Sequence, residues 1–255
     1  LIRYTINMQF RFGQRQALFT TVFLTGAAVL IFEVAAVRLL SPYYGSSLYV
    51  LSSVLTTVLL ALSLGYYWGG RLADRYPAPT ILAAVIALGG VSMLGLLTLS
   101  RLVLPELAPA LGLATGPLLI SLAFFFIPAF LLGIDSPFVI RLLSDGTHNE
   151  QGAIVGSVFF WSTIGSIVGS LSSGFWLIPY LGLIETLVAV SLTITLWSTA
   201  LFFIVSNQAP TVPISLRSLR FIVVGASFAA VILAGFCLRI MSSAPGDLVY
   251  ERDGL

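Results

Sequence analysis

Two charges stand in an otherwise greasy run, "FEVAAVRLLSPYYGSSLYV", residues 32–50: Glu33 and Arg38. A carboxylate in hydrocarbon costs about 2.5–3.5 kcal/mol on an insertion scale, so Glu33 needs a partner, a proton or water. Arg38 lies five residues on, about 140° around a helix, so the two do not face each other. Arg38 is placed to snorkel to the membrane surface. Glu33 then faces another helix or a polar cavity. It either binds a cation or proton there, or accepts hydrogen bonds from serines or tyrosines of a neighbouring helix. A second set is Asp74 between Arg71 and Arg75 in "GGRLADRYP", residues 69–77. It suits either a charge clamp that changes between conformations or a topology anchor with local ion pairs. A third is Asp135 with Arg141 in "PAFLLGIDSPFVIRLLSD", residues 128–145. Asp135 is a ligand candidate, or caps a short helix beginning at Ser136-Pro137, since proline is favoured early in helices. Glu185 opens a later apolar segment and suits the positive end of its dipole.

Other chemistries find little support. Cys237 and His148 are each single. His148 with Asp145 and Glu150 reads as a solvated loop rather than a metal set. There is no nucleophile–base pair, phosphate loop or metal-spaced cluster, so neither cofactor nor catalytic residue is expected in this chain. No basic cluster points to nucleic acid.

The elements that position these charges follow from composition. Of 255 residues, 58% are hydrophobic and 9% charged, whereas soluble domains carry about 25% charged residues. Such a chain belongs in a lipid bilayer. About seven continuous apolar runs have the length of a spanning helix, roughly residues 17–40, 47–69, 79–100, 118–135, 153–178, 184–205 and 219–240. Their continuity excludes a barrel. The fold class is therefore an all-α polytopic bundle, with residues 1–16 as an N-terminal segment and 17–240 as the transmembrane domain. Residues 241–255 read as a linker or the start of a soluble domain. The beginning at Leu1 and the strand-like ending "DLVYERDGL" lead us to expect a longer native protein.

All twelve basic residues are arginine. Arg3, Arg11, Arg15, Arg71, Arg75, Arg141, Arg217 and Arg220 fall on one side of the predicted spans, and Arg38, Arg101, Arg239 and Arg252 on the other. The first side is expected to be cytoplasmic. That puts the N-terminus inside a prokaryotic inner membrane and, with seven spans, the C-terminus outside. Between spans, Pro42 is expected to break the first helix, with Gly45 turning the chain and Ser46 or Ser47 capping the second. The three prolines of residues 101–117 suggest an interfacial or re-entrant piece.

Small residues mark helix contacts. Gly165, Gly169 and Ser173 recur every four residues, as do Ser162, Ser166, Ser170 and Gly174, and Gly65 and Gly69 repeat the spacing earlier. Such faces let another backbone approach closely, within the chain or across a dimer seam. "GYYWGGRL" (65–72) and "GFWLIPYL" (174–181) also share a glycine, two aromatics and a leucine. That is the trace of a three-plus-three inverted repeat, as in half of a major-facilitator fold.

The stretch 32–75 resembles the membrane domain of the fused major-facilitator/spermidine-synthase proteins, membrane-bound relatives of the polyamine aminopropyltransferases. Gly133 to Glu185, with "STIGSIVGSLSSGFWLIPYLGLIET", fits the same pattern. The ending "LVYERDGL" looks like the opening strand of that family's synthase domain. The matching membrane positions are Glu33, Arg38, Ser41, Pro42, Gly45, Gly70, Asp74 and Arg75, to which membership gives no settled role. The resemblance implies a non-catalytic membrane scaffold or anchor for an aminopropyltransferase-like domain, with Glu33 and Asp135 as candidate contacts for a polyamine cation. The alternatives are an accessory subunit of a larger membrane complex, with other membrane proteins as partners, and a small-solute or polyamine transporter.

Overall fold

A computed structural model describes residues 12–144, 151–205 and 216–242. Among them the chain is all-helical: α1 (Phe12–Tyr44), α2 (Leu48–Arg75), α3 (Pro79–Ala110), α4 (Gly116–Gly133), α5 (Asp135–Leu143), α6 (Gln151–Ser172), a π-helical continuation Ser173–Leu181, α7 (Leu183–Val205) and α8 (Leu216–Ser242). Six rods are long and apolar enough to cross a bilayer, α4 and α5 forming one and α6 with its π-helical end another. The helix α8 adds a shorter apolar stretch, Phe221–Cys237. The chain is thus a polytopic helix bundle. The trio Asp145, His148 and Glu150, the synthase-like ending and most of residues 1–16 lie outside the described residues.

Three local expectations need correction. The helix does not break at Pro42: α1 runs on to Tyr44, with the Ser41 hydroxyl donating to the Val37 carbonyl. The reversal comes at Gly45, whose φ of 70° is open to glycine and strained for other residues. Ser47 then caps α2 by accepting from the Val50 amide. Nor is residue 101–110 a re-entrant piece. It completes α3 despite Pro105 and Pro109, and Tyr44 donates to the Ala108 carbonyl at 2.9 Å, tying the end of α1 to the end of α3. Asp135, finally, caps nothing. Ile134 keeps helical dihedrals, so the backbone continues from α4 into α5 and leaves the Asp135 side chain for other work.

The helix α3 sits at the centre of the bundle and the rod containing α6 at its rim, with 72% and 22% of their apolar windows buried. Contacts follow a regular scheme. The helix α1 packs along α6, α2 along α4 and α5, and α3 along α7, while α8 lies over α3 and α7. Glycines set the two closest approaches. A Cβ on Gly165 or Gly169 would strike the α1 backbone at Phe23 or Ala27, and one on Gly65 or Gly69 would strike the backbone at Phe130 or Ile134. Both pairs advance in the same direction, so each is parallel. Gly65 and Gly165, like Gly69 and Gly169, stand 100 positions apart, and their partners Phe23 and Phe130, like Ala27 and Ile134, stand 107 apart. This is the pairing that a three-plus-three repeat generates. The register differs from the sequence expectation: Gly174 is exposed with nothing within 4 Å, so it is no counterpart of the tightly packed Gly65.

Candidate functional site

The packing of α2 on the α4–α5 rod delivers a carboxylate to the interior. Gly69 lets Ile134 come against α2, with Pro137 beside it. The next residue, Asp135, is turned toward α1 and is 1% exposed. There the Thr25 hydroxyl is hydrogen-bonded to Asp135 Oδ2. Asp135 Oδ1 is buried with no hydrogen-bond partner. On the facing side of α1, Thr25 Oγ1 also lies 3.0 Å from the Thr21 carbonyl and 3.3 Å from that of Val22. One turn back, the Thr21 hydroxyl donates to the Ala17 carbonyl at 2.7 Å and accepts from Trp197 Nε1 at 3.0 Å. A polar line therefore runs from α7 through α1 to α5 inside an apolar bundle. Tyr66 of α2 is within electrostatic reach of Asp135.

The same glycine contacts hold α1 in place from the other side. The Ser166 hydroxyl donates to the Gly26 carbonyl at 3.2 Å, and a Cβ on Gly26 would meet the Ser162 carbonyl. Ser173 is buried and donates to the Ser170 carbonyl within its own rod. A groove of about 450 Å³ opens between α1 and α6, lined by Gln16, Phe19, Thr20, Phe23 and Trp161.

The remaining charges go elsewhere. Glu33 is half-buried on α1, and no hydrogen bond or ion pair joins it to the described residues. Arg38 is exposed. Asp74 pairs with Arg141 of α5, whose Nε lies 3.1 Å from Asp74 Oδ1, rather than with its neighbours. Arg71 stacks over Tyr67 at 4.1 Å, and Arg75 lies over Tyr76 at 5.4 Å. The structure thus joins two of the sequence candidates, Asp74 and Arg141, and keeps Asp135 apart from both. Arg141 is six residues beyond Asp135, about 9 Å along the helix.

Sequence reading missed Thr21, Thr25, Trp197 and Tyr66. A signal existed for two of them: Thr21 and Thr25 are four apart and share one face of the first span. A second cluster was also missed. Cys237 of α8 is buried beside Thr98 of α3, within electrostatic reach of Arg101 and Glu185. Among the described residues no group of three or more His, Cys, Asp or Glu side chains is placed to hold a metal.

As a chemical site, Asp135 is closed. With no accessible surface worth the name on Oδ1, no ammonium group or hydrated ion reaches it in this conformation.

No protein-family model matches the chain, and no solved structure matches it. A curated protein of Streptomyces coelicolor, polyamine aminopropyltransferase 2, is 30% identical over 164 residues, which is 63% of this chain and 29% of that protein. The match thus spans less than a third of that relative's length. The chain shows weak homology to a polyamine aminopropyltransferase, and its described residues form a bundle of apolar helices.

Proposed function

We propose that these residues form the helical membrane domain of a spermidine-synthase-like protein, and that they serve as its scaffold or anchor without catalysing a reaction. The observation that carries this reading is the combination of the two findings. A homology to an aminopropyltransferase covers 63% of a chain whose described residues are apolar helices. The membrane domain of the fused major-facilitator/spermidine-synthase family accounts for both. The pairing of α1 with α6 and of α2 with α4 favours a major-facilitator-like half. Arg15, Arg71, Arg75 and Arg141 support an orientation with the N-terminus in the cytoplasm of a prokaryote and the α2–α3 turn on the same side.

The experiment is to purify the native protein from membranes and measure its intact mass and its aminopropyl transfer from decarboxylated S-adenosylmethionine to putrescine. A mass well above 27.3 kDa, with transfer that disappears when only the helical domain is expressed, supports the reading. A mass near that value with companions in fixed ratio replaces it with an accessory subunit of a membrane complex. A transporter is the second alternative, and the buried polar line from Trp197 to Asp135 favours it. Solute flux in vesicles, lost on Asp135→Ala, is its test.

A further inference from the structure

We propose that Asp135 is a proton-binding site, and that in the packed bundle its carboxyl group holds the proton as an O–H donated to Thr25. The count of hydrogens around Thr25 supports this independently of any link to polyamine chemistry. The Thr25 hydroxyl has one hydrogen. Three acceptors lie within its reach: Asp135 Oδ2 and the carbonyls of Thr21 and Val22. With an ionised carboxylate, Thr25 must give that hydrogen to Asp135, and a full negative charge is left in the bundle interior. With a carboxylic acid, Asp135 donates to Thr25 Oγ1 and Thr25 donates to the Thr21 carbonyl. Every hydrogen then has an acceptor, and the buried charge is gone.

Among the described residues the surroundings offer no other means of neutralisation. On α2 the titratable group facing Asp135 is Tyr66, an acid rather than a cation. The helices α4 and α6 carry no titratable side chain. On α1, Glu33 and Arg38 lie eight and thirteen residues beyond Thr25, and Gln14 and Arg15 about ten before it. On α3, Arg101 belongs with Glu185 and Cys237, and Glu106 is further still along the same helix. On α5 itself, Arg141 is engaged by Asp74. Burial of Oδ1 also keeps out anything larger than a proton. The binding step is the addition of one proton from bulk water to the carboxylate, forming one O–H bond and leaving a neutral acid. Loss of that proton places a charge between α1, α2 and α5. It therefore favours a conformation in which those helices part and admit water, which makes the site a switch linking pH to packing.

The test is infrared spectroscopy of the full chain in lipid nanodiscs at neutral pH, with aspartate carboxyl carbons labelled with ¹³C. The chain has five aspartates: Asp74, Asp135, Asp145, Asp247 and Asp253. The expected result is one labelled carboxylic-acid band. It disappears in Asp135→Asn, moves to higher frequency in Thr25→Val as its hydrogen bond is lost, and is unmoved in Asp74→Asn. A spectrum with carboxylate bands alone overturns the proposal, as does an acid band that survives Asp135→Asn. Should Asp135→Asn fail to fold, the labelled wild type and the Thr25→Val shift decide. An acid band indifferent to Thr25→Val overturns the assignment.

Discussion

Arg141 Nε lies 3.1 Å from Asp74 Oδ1, joining the end of α2 to the end of α5 across 67 positions of sequence. Both side chains remain accessible, at 34% and 72%. Water and salt therefore screen the pair, and its contribution to stability is small, about 0–1 kcal/mol. A double-mutant cycle with Asp74→Asn and Arg141→Gln, read by thermal unfolding in mild detergent, is expected to give a coupling within that range that shrinks with added salt. A coupling of several kcal/mol would mean that the pair is buried in the native membrane, against the arrangement described.

The glycine contacts predict a sharper contrast. Gly165→Leu must push α1 off α6 and is expected to destabilise the bundle by about 1–3 kcal/mol through overpacking. Gly174→Leu, one to two turns beyond Gly169 on an exposed face, is expected to change stability little. Unfolding in denaturing detergent compares the two, and equal losses would contradict the packing of α6.

At Gly45 the cost has a different origin. Nothing lies within 4 Å of a Cβ there, but φ is +70°. Gly45→Ala should cost about 1–2 kcal/mol from backbone strain alone. Gly45→Asn should cost less than Gly45→Ala, since asparagine visits this region more readily. Thermal unfolding of the two variants checks the order.

The link from Trp197 to Thr21 crosses between α7 and α1 at 3.0 Å. Interhelical hydrogen bonds in membranes average about 0.6 kcal/mol. Trp197→Phe removes the donor and much of the ring, so it should destabilise by that amount or more. In the Thr21→Val background, where Nε1 has already lost its acceptor, the same change should cost less. The difference between the two backgrounds, measured by unfolding, isolates the bond.

Orientation is open to a direct check. Replacing Cys237, which is buried, by serine gives a cysteine-free chain. A single cysteine at Ser46 should then react with an impermeant maleimide in intact cells, and one at Tyr76 only after the cells are opened. The reverse result would invert the topology drawn from the arginines.

The spans were legible because a run of apolar residues long enough to cross a bilayer has few other uses. The 118–135 run fell within the α4–α5 rod and the 153–178 run within the rod of α6. Endings were less legible. Pro42 and Pro105 both looked like breaks, yet each stands inside a helix, because local proline cost yields to contacts such as Tyr44 with Ala108. The site was harder still. Asp135 stood out as a charge, but its partner Thr25 lies 110 positions away, and threonine is unremarked in an apolar helix. Only the packing of α1, α2 and α5 joins them. The repeat expected between residues 65–72 and 174–181 leaned on aromatic neighbours, whereas nothing lies within 4 Å of a Cβ at Gly174 and the close backbone contacts are made by Gly65 and Gly165.

The parallel pairing of α1 with α6 has a consequence for biogenesis. Gly165 emerges from the ribosome 142 residues after Phe23, its contact on α1. At about 5–20 residues per second that interval is on the order of ten seconds. Throughout it the α1 face bearing Gly26 waits without its native neighbour, against lipid or the insertion machinery. Helix α1 must therefore be apolar enough to stay inserted by itself, and its three threonines, Thr20, Thr21 and Thr25, satisfy that demand by donating their hydroxyls to α1's own carbonyls. The order of synthesis thus constrains α1 more tightly than any later helix: it has to be an acceptable solitary membrane span before it becomes one wall of a polar interior.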